Sequence, residues 1–125
     1  MGREKKDTGA AGEKEASVFL KKKGYKILGA NLRTPFGEID LVARHKGVMV
    51  FVEVKSRISA SLGPPYLSIT REKQRHIIKN ALFYLKCRRM TDARWRIDIV
   101  SVILDCDRRS KNIELIENAI EDDYI

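Results

Sequence analysis

Within Phe51-Val52-Glu53-Val54-Lys55 an acid and an amine stand two residues apart inside an otherwise apolar run. Side chains of an extended segment alternate between faces, so Phe51, Glu53 and Lys55 share one face while Val52 and Val54 take the other. The same alternation puts Glu38 and Asp40 on one face, opposite Ile39 and Leu41. His45-Lys46-Gly47 separates the two segments. If Lys46-Gly47 is a two-residue hairpin loop, His45 pairs with Val48, Asp40 falls opposite Glu53, and Glu38 falls opposite Lys55. Directly opposed residues have Cβ atoms roughly 4.5–5.5 Å apart, and like charges so placed repel. A divalent cation between Asp40 and Glu53 relieves that repulsion. Mg²⁺ takes hard oxygen ligands and is held by one or two carboxylates together with water and substrate phosphate. The Val54 carbonyl is a further candidate ligand, and the Lys55 ammonium is suited to orienting or deprotonating an attacking water. Most Glu-x-Lys strings are ordinary surface charges. The apolar flanks and the convergence of Asp40 set this one apart.

Glu13 lies in line with Ala16 and Leu20, and Gln74 with Ile77, Ile78 and Ala81, so each polar residue could face a sheet with its helix's apolar stripe. Each also has a plainer reading, Glu13 as an acid favoured near a helix N-terminus and Gln74 as an exposed first-turn residue. Asp98, inside the apolar run around Arg96-Ile97-Asp98-Ile99, reads as a structural ion pair with Arg57 or Arg96. His45, in a turn, and His76, on a helix, lack a spaced partner and read as neither ligand nor base. Cys87 and Cys106 show no C-x-x-C pair, so they read as reduced thiols and not as a zinc site with the histidines.

These residues need a sheet and helices to position them, and the chain supplies one αβββαβ succession. A helix is predicted over Thr8 to Lys23, stopped by Gly24, followed by a strand over Tyr25 to Arg33 and a turn at Pro35 and Gly37. Glu38 to Arg44 and Val48 to Arg57 are predicted to form an antiparallel hairpin. Ile58 to Ser68, with its Ser, Gly and paired Pro residues, reads as an exposed loop with little secondary structure. Thr70 caps a second helix running to about Lys86. A strand follows over Arg94 to Leu104, with a short last one over Asn112 to Glu117.

At 125 residues the chain has room for a single domain, expected to span 1–125. Its longest apolar runs are far too short to cross a bilayer. No charged-then-apolar leader opens the sequence, and a cytoplasmic location is expected. The net charge of +8 is uneven: the tail from Asp105 holds three basic and seven acidic residues, which leaves the rest strongly basic. Such a field suits polyanions, nucleic acid foremost, although a generally basic, soluble surface has the same composition. Arg33, Arg57, Arg71 and Lys73 are candidate phosphate contacts around the proposed site. Few aromatics interleave with the basic residues, Tyr66 being the main loop candidate, so base stacking on a single-strand platform is not strongly indicated.

Several longer motifs add a resemblance. Gly12-Glu13, Gly24-Tyr25-Lys26-Ile27-Leu28, Gly37-Glu38-Ile39-Asp40-Leu41-Val42-Ala43, Val50-Phe51-Val52-Glu53-Val54-Lys55-Ser56-Arg57, Lys73-Gln74 and Arg96-Ile97-Asp98 resemble the YraN-like uncharacterised bacterial family over almost the whole chain. That family is similar to archaeal Holliday-junction resolvases and other PD-(D/E)-x-K nucleases. The resemblance implies an α/β restriction-endonuclease-like fold with a mixed central sheet flanked by helices. It also implies Mg²⁺ or Mn²⁺ as cofactor, and phosphodiester hydrolysis in DNA. The helical Glu, the Asp and the Glu-x-Lys of those proteins map onto Glu13, Asp40, Glu53 and Lys55, although Ile39 stands where the motif name has Pro. The reading is then a DNA nuclease, with branched or damaged DNA as candidate substrates, Asp40, Glu53 and the Val54 carbonyl holding metal, Lys55 serving the water, and Glu13 and Gln74 assisting. The alternatives are a nucleic-acid-binding module without cleavage and an accessory subunit docking through its acidic tail. A homodimer would suit junction cutting.

Overall fold

A computed structural model describes residues 2–58, 63–107 and 109–120. Helix α1 (Gly2–Lys22) precedes strands β1 (Lys26–Thr34), β2 (Gly37–His45) and β3 (Val48–Arg57); helix α2 (Arg71–Cys87) and strands β4 (Trp95–Leu104) and β5 (Ser110–Ile116) complete the order. The expected αβββαβ succession is present, and the short last strand expected over Asn112 to Glu117 is β5, which starts at Ser110. The part of the expected loop at 59–62 lies outside the described residues. Pro65–Ser68 forms a short 3-10 turn instead of open loop, as a Pro at its start, with φ already fixed, permits.

The strands form one mixed sheet in the order β1-β2-β3-β4-β5. β3 and β4 are parallel and the other neighbours antiparallel, because α2 carries the chain back across the sheet between β3 and β4, as a parallel pair requires. Alternation along the central strands then builds two cores. Val50, Val52, Val54, Val100 and Val102 pack with Ala16 and Leu20 of α1 on one face. Met49, Phe51, Ile97 and Ile99 pack with Ile78, Ala81 and Leu85 of α2 on the other. No helix among the described residues is long and apolar enough to cross a membrane.

The β2–β3 turn has the expected form: Lys46 and Gly47 both have positive φ, at 51° and 78°, as a twisted two-residue hairpin demands, and His45 pairs with Val48. The ladder runs to Leu41 and Val52, and neither the expected Asp40–Glu53 pair nor the expected Glu38–Lys55 pair is part of it. Nor do Ile39 and Leu41 share a face: Leu41 belongs to the α1-side core and Ile39 to the α2-side core. The cause is local. Asn31, facing Asp40 between the Ala30–Leu41 and Leu32–Ile39 pairs, takes a left-handed φ of 53°, a conformation Asn tolerates better than most residues. The β1–β2 edge turns over there, and β2 leaves β3.

Candidate metal centre

Where β2 and β3 part, Asp40 takes the place of a backbone partner. Its Oδ2 accepts a hydrogen bond from the Val54 N–H at 2.8 Å. Glu13, Glu38 and Asp40 bring carboxylate oxygens within 4.8 Å of one another, the one such group of potential metal ligands among the described residues. Glu53 joins through a side-chain hydrogen bond with Asp40. Lys55 Nζ stands 3.7 Å from Glu53 Oε1, with both side chains mostly covered. Asp40 is thus the hub of four acids drawn from α1, β2 and β3.

Glu13 reaches this hub because α1 sits close against the end of β3. A Cβ at Gly12 would lie 2.5 Å from Ser56 Oγ, and Ser56 Oγ donates to the Thr8 carbonyl at 3.2 Å. Glycine is therefore required next to the acid, by sterics and not by backbone conformation.

The acids resist ionising together. Burial first, then the Asp40 charge, pushes Glu13 up to about 7 against an opposing hydrogen bond from Asn31. Burial and the Asp40 charge push Glu53 up to about 8 even though Lys55 opposes them. Asp40 is itself raised by burial, with the Val54 N–H and then Lys55 working the other way. Carboxyls that share protons at neutral pH because like charges cannot all be desolvated together are a set that a hard divalent cation would suit.

Of the residues singled out from sequence, Glu13, Asp40, Glu53 and Lys55 are brought together. Val54 contributes its N–H to Asp40; in an antiparallel strand one residue's N–H and C=O face the same neighbour, so its carbonyl is directed to the β2 side as well. Gln74 is half-buried on α2, but that helix presents Lys73, His76 and Ile77 to the cleft shared with Phe36, Glu38, Glu53 and Lys55. Gln74 stays nearer the stripe that buries Ile78 and Ala81. Lys73 is therefore beside the acids. Arg57 lines a second cleft with Thr8, Gly9 and Lys55, so Lys55 borders both. Arg71 is exposed at the first position of α2. Arg33 pairs with Glu38 across the strands and lines a separate cavity with Phe83, Tyr84 and Arg88.

Glu38 was legible only as the residue sharing a face with Asp40, and its place in the acid cluster comes from the turning of β2. His76, read from sequence as neither ligand nor base, lines the cleft. His45 is the last residue of β2, buried, stacked on Tyr25 at 4.1 Å and 3.0 Å from Arg96 through Nδ1. Both cysteines are free and exposed. Asp98 is fully buried and pairs with Arg96 at 2.9 Å, not with Arg57; it also accepts from the Tyr25 hydroxyl at 2.7 Å and the Asn118 N–H at 2.9 Å. It is a structural residue.

Residues 12–102, from the glycine beside Glu13 through both hairpin motifs to β4, match the model of the uncharacterised protein family UPF0102. The chain belongs to this family. A UPF0102 protein of Desulfosudis oleivorans is 46% identical over 121 residues, covering 97% of this chain and 95% of that protein. One from Clostridium acetobutylicum is 38% identical over 121 residues, 97% and 99% of the two chains. One from Geobacter metallireducens is 44% identical, again over 121 residues, with 97% and 98% covered. These relatives span the same length, so the acid cluster and the helix that supplies Glu13 fall inside the UPF0102 match.

Proposed function

We propose that this UPF0102 protein is a cytoplasmic metal-dependent nuclease that hydrolyses phosphodiester bonds in DNA. The observation that carries the reading is the gathering of Glu13, Glu38, Asp40 and Glu53 around one point, with Lys55 beside them in an open cleft. Purely structural acids are seldom packed together with so little positive charge to offset them.

Asp40 is the central ligand for a cation, with Glu13, Glu38 and Glu53 as further oxygen donors and the Val54 carbonyl directed to the same side. A bound Mg²⁺ or Mn²⁺ supplies Lewis acidity toward a phosphoryl oxygen. Lys55 places an ammonium next to Glu53, where it can orient a water and offset charge building on the phosphate. Glu53, held ionised by a bound cation and by Lys55 3.7 Å away, can accept a hydrogen bond from that water and help orient it. Lys73 on one side of Lys55 and Arg57 on the other lie along a path that a phosphate backbone can follow.

The test is cleavage of supercoiled, single-stranded and four-way-junction DNA in Mg²⁺ or Mn²⁺. Cleavage by the wild type that disappears in both Asp40→Ala and Lys55→Ala is the expected result. Salt-sensitive binding with no cleavage of any substrate in either metal would replace the nuclease by a binding module.

A further inference from the structure

Phe36 is the one phenyl ring among the residues lining the cleft with Glu38, Glu53, Lys55 and His76, and it is 44% exposed. It occupies the tight turn between β1 and β2, and three contacts fix that turn. The Phe36 N–H donates to Thr34 Oγ1 at 3.0 Å, Thr34 Oγ1 hydrogen-bonds Asn80 of α2, and the buried Asn80 donates from Nδ2 to the Glu38 carbonyl at 3.4 Å. The same asparagine therefore ties down the turn bearing Phe36 and the backbone of an acid in the cluster. Phe83 meets the Phe36 ring edge-on at 6.2 Å, and Lys79 Nζ stands 5.8 Å from its centroid.

Single exposed apolar side chains are ordinary on a protein surface, and Val18 and Leu67 are as exposed or more so; what distinguishes Phe36 is that its ring is held at the cleft that Glu38, Glu53 and Lys55 line. The surrounding charge selects the occupant. Lys55 and Lys73 line the same cleft and Lys79 adjoins the ring, so the ring is set among ammonium groups that suit a strand of phosphates. An apolar protein segment would meet three cations that it could not pair. A nucleobase offers a flat π face to the ring while its phosphates meet the lysines, which is how single strands are held on aromatic platforms. In an intact duplex the bases are stacked and paired, and none is free to lie on Phe36.

We propose that Phe36 is the stacking platform for an unpaired nucleobase next to the phosphate to be cleaved, so that the protein acts on nucleic acid with a single-stranded or unstacked segment, such as a fork, flap or junction. This rests on the nuclease reading and adds its substrate class. Phe36 is a specificity residue that touches the base, with Asn80 and Thr34 positioning it.

The experiment uses the full chain with three oligonucleotides, a single strand, a forked duplex and a perfect duplex, each with 2-aminopurine at one position, set at the first unpaired base in the fork. Binding is followed in Ca²⁺ and cleavage in Mg²⁺. Expected are a fluorescence change at the unpaired base with wild type and Phe36→Trp, its loss in Phe36→Ala and Phe36→Leu, and about tenfold weaker binding of fork and single strand by those two variants. The perfect duplex should change less than about twofold. Phe36→Leu keeps an apolar contact with Phe83, so a folded Leu variant separates loss of stacking from loss of structure. Equal weakening on all three substrates, or none on fork and single strand, overturns the inference even where wild type cleaves. If wild type neither binds nor cleaves any of the three, the nuclease reading fails and this inference falls with it. Phe36→Ala that leaves nucleic acid untouched but abolishes association with a protein would reassign the ring to a protein partner.

Discussion

The Asp40 carboxylate accepts a hydrogen bond from the Val54 N–H at 2.8 Å, one residue past Leu41 on β2 and two past Val52 on β3, the last regular pair of their ladder. A side chain therefore satisfies a backbone group that the departing strand leaves behind. The same act fixes Asp40 where Glu13 and Glu53 converge on it. Replacing Asp40 by Asn keeps an acceptor for Val54 but removes the charge at the hub. Cleavage should fall by on the order of 100-fold or more, the scale of losing several kcal/mol of transition-state stabilisation. The metal-free variant should melt no lower than wild type, since like-charge repulsion is relieved. Mg²⁺ should raise the melting temperature of wild type and not of Asp40→Asn. Thermal melts with and without Mg²⁺, beside a cleavage assay, check this; equal Mg²⁺ stabilisation of both proteins would remove Asp40 from the metal site.

Metal-free stability should decline as pH rises. Glu13 is raised from 4.5 to about 7 and Glu53 from 4.5 to about 8. In the unfolded chain both lose their protons near their ordinary values, while the folded protein retains them. Between those limits the folded state binds more protons, so stability falls with increasing pH. The contribution is complete below about 4.5 and is lost as pH passes through about 7 and then about 8. Melting temperatures in EDTA should therefore drop across this window from these two groups, and Glu53→Gln should flatten the upper part. A rise across the same window in EDTA would contradict the shifts.

Gly12 should not tolerate a methyl group. Alanine favours a helix by about 1 kcal/mol over glycine, but its Cβ would meet Ser56 Oγ at 2.5 Å and Ser56 Cβ at 2.6 Å. Overpacking of this kind costs about 1–3 kcal/mol, so Gly12→Ala should be destabilising or neutral. Its cleavage should fall because Glu13 moves with the helix. Ser56→Gly in the Gly12→Ala background should recover stability and part of the activity. Urea melts of the single and double variants decide it, and a stabilised, fully active Gly12→Ala would show that α1 does not press on β3.

Asp98 should matter for folding and not for chemistry. It is 0% exposed and accepts hydrogen bonds from Arg96, Tyr25 and Asn118. Asp98→Ala leaves Arg96 facing a low-dielectric pocket unpaired, which costs about 3–5 kcal/mol. Whatever fraction remains folded should keep wild-type metal response. Loss of the Mg²⁺-dependent rise in melting temperature, in a variant still folded by circular dichroism, would draw Asp98 into the site after all.

The sequence alone was enough for the element order and the hairpin register. Over the paired length of the hairpin, alternating Val, Ile and Phe residues allow only one pleat, and Lys46-Gly47 adopts the two positive φ angles that close a two-residue turn. An ion pair for Asp98 was also legible, as an acid within an apolar strand needs a partner, but the choice of Arg96 over Arg57 was made by the structure. The Glu53, Lys55 and Asp40 convergence followed from parity and register.

Tertiary structure decided the rest, because parity holds only while the ladder does. Once Asn31 takes a left-handed conformation and β2 leaves β3, Ile39 passes to the α2 side while Glu38 joins Glu13 and Asp40. No periodicity encodes that change of face. The contribution of Glu13 depends on how near α1 lies to Ser56, a packing distance set by the absence of a side chain at Gly12. On α2 the rotation of the helix sets His76 and Lys73 toward the acids in place of Gln74, since neighbouring residues on a helix differ by about 100° and small changes in seating choose among them.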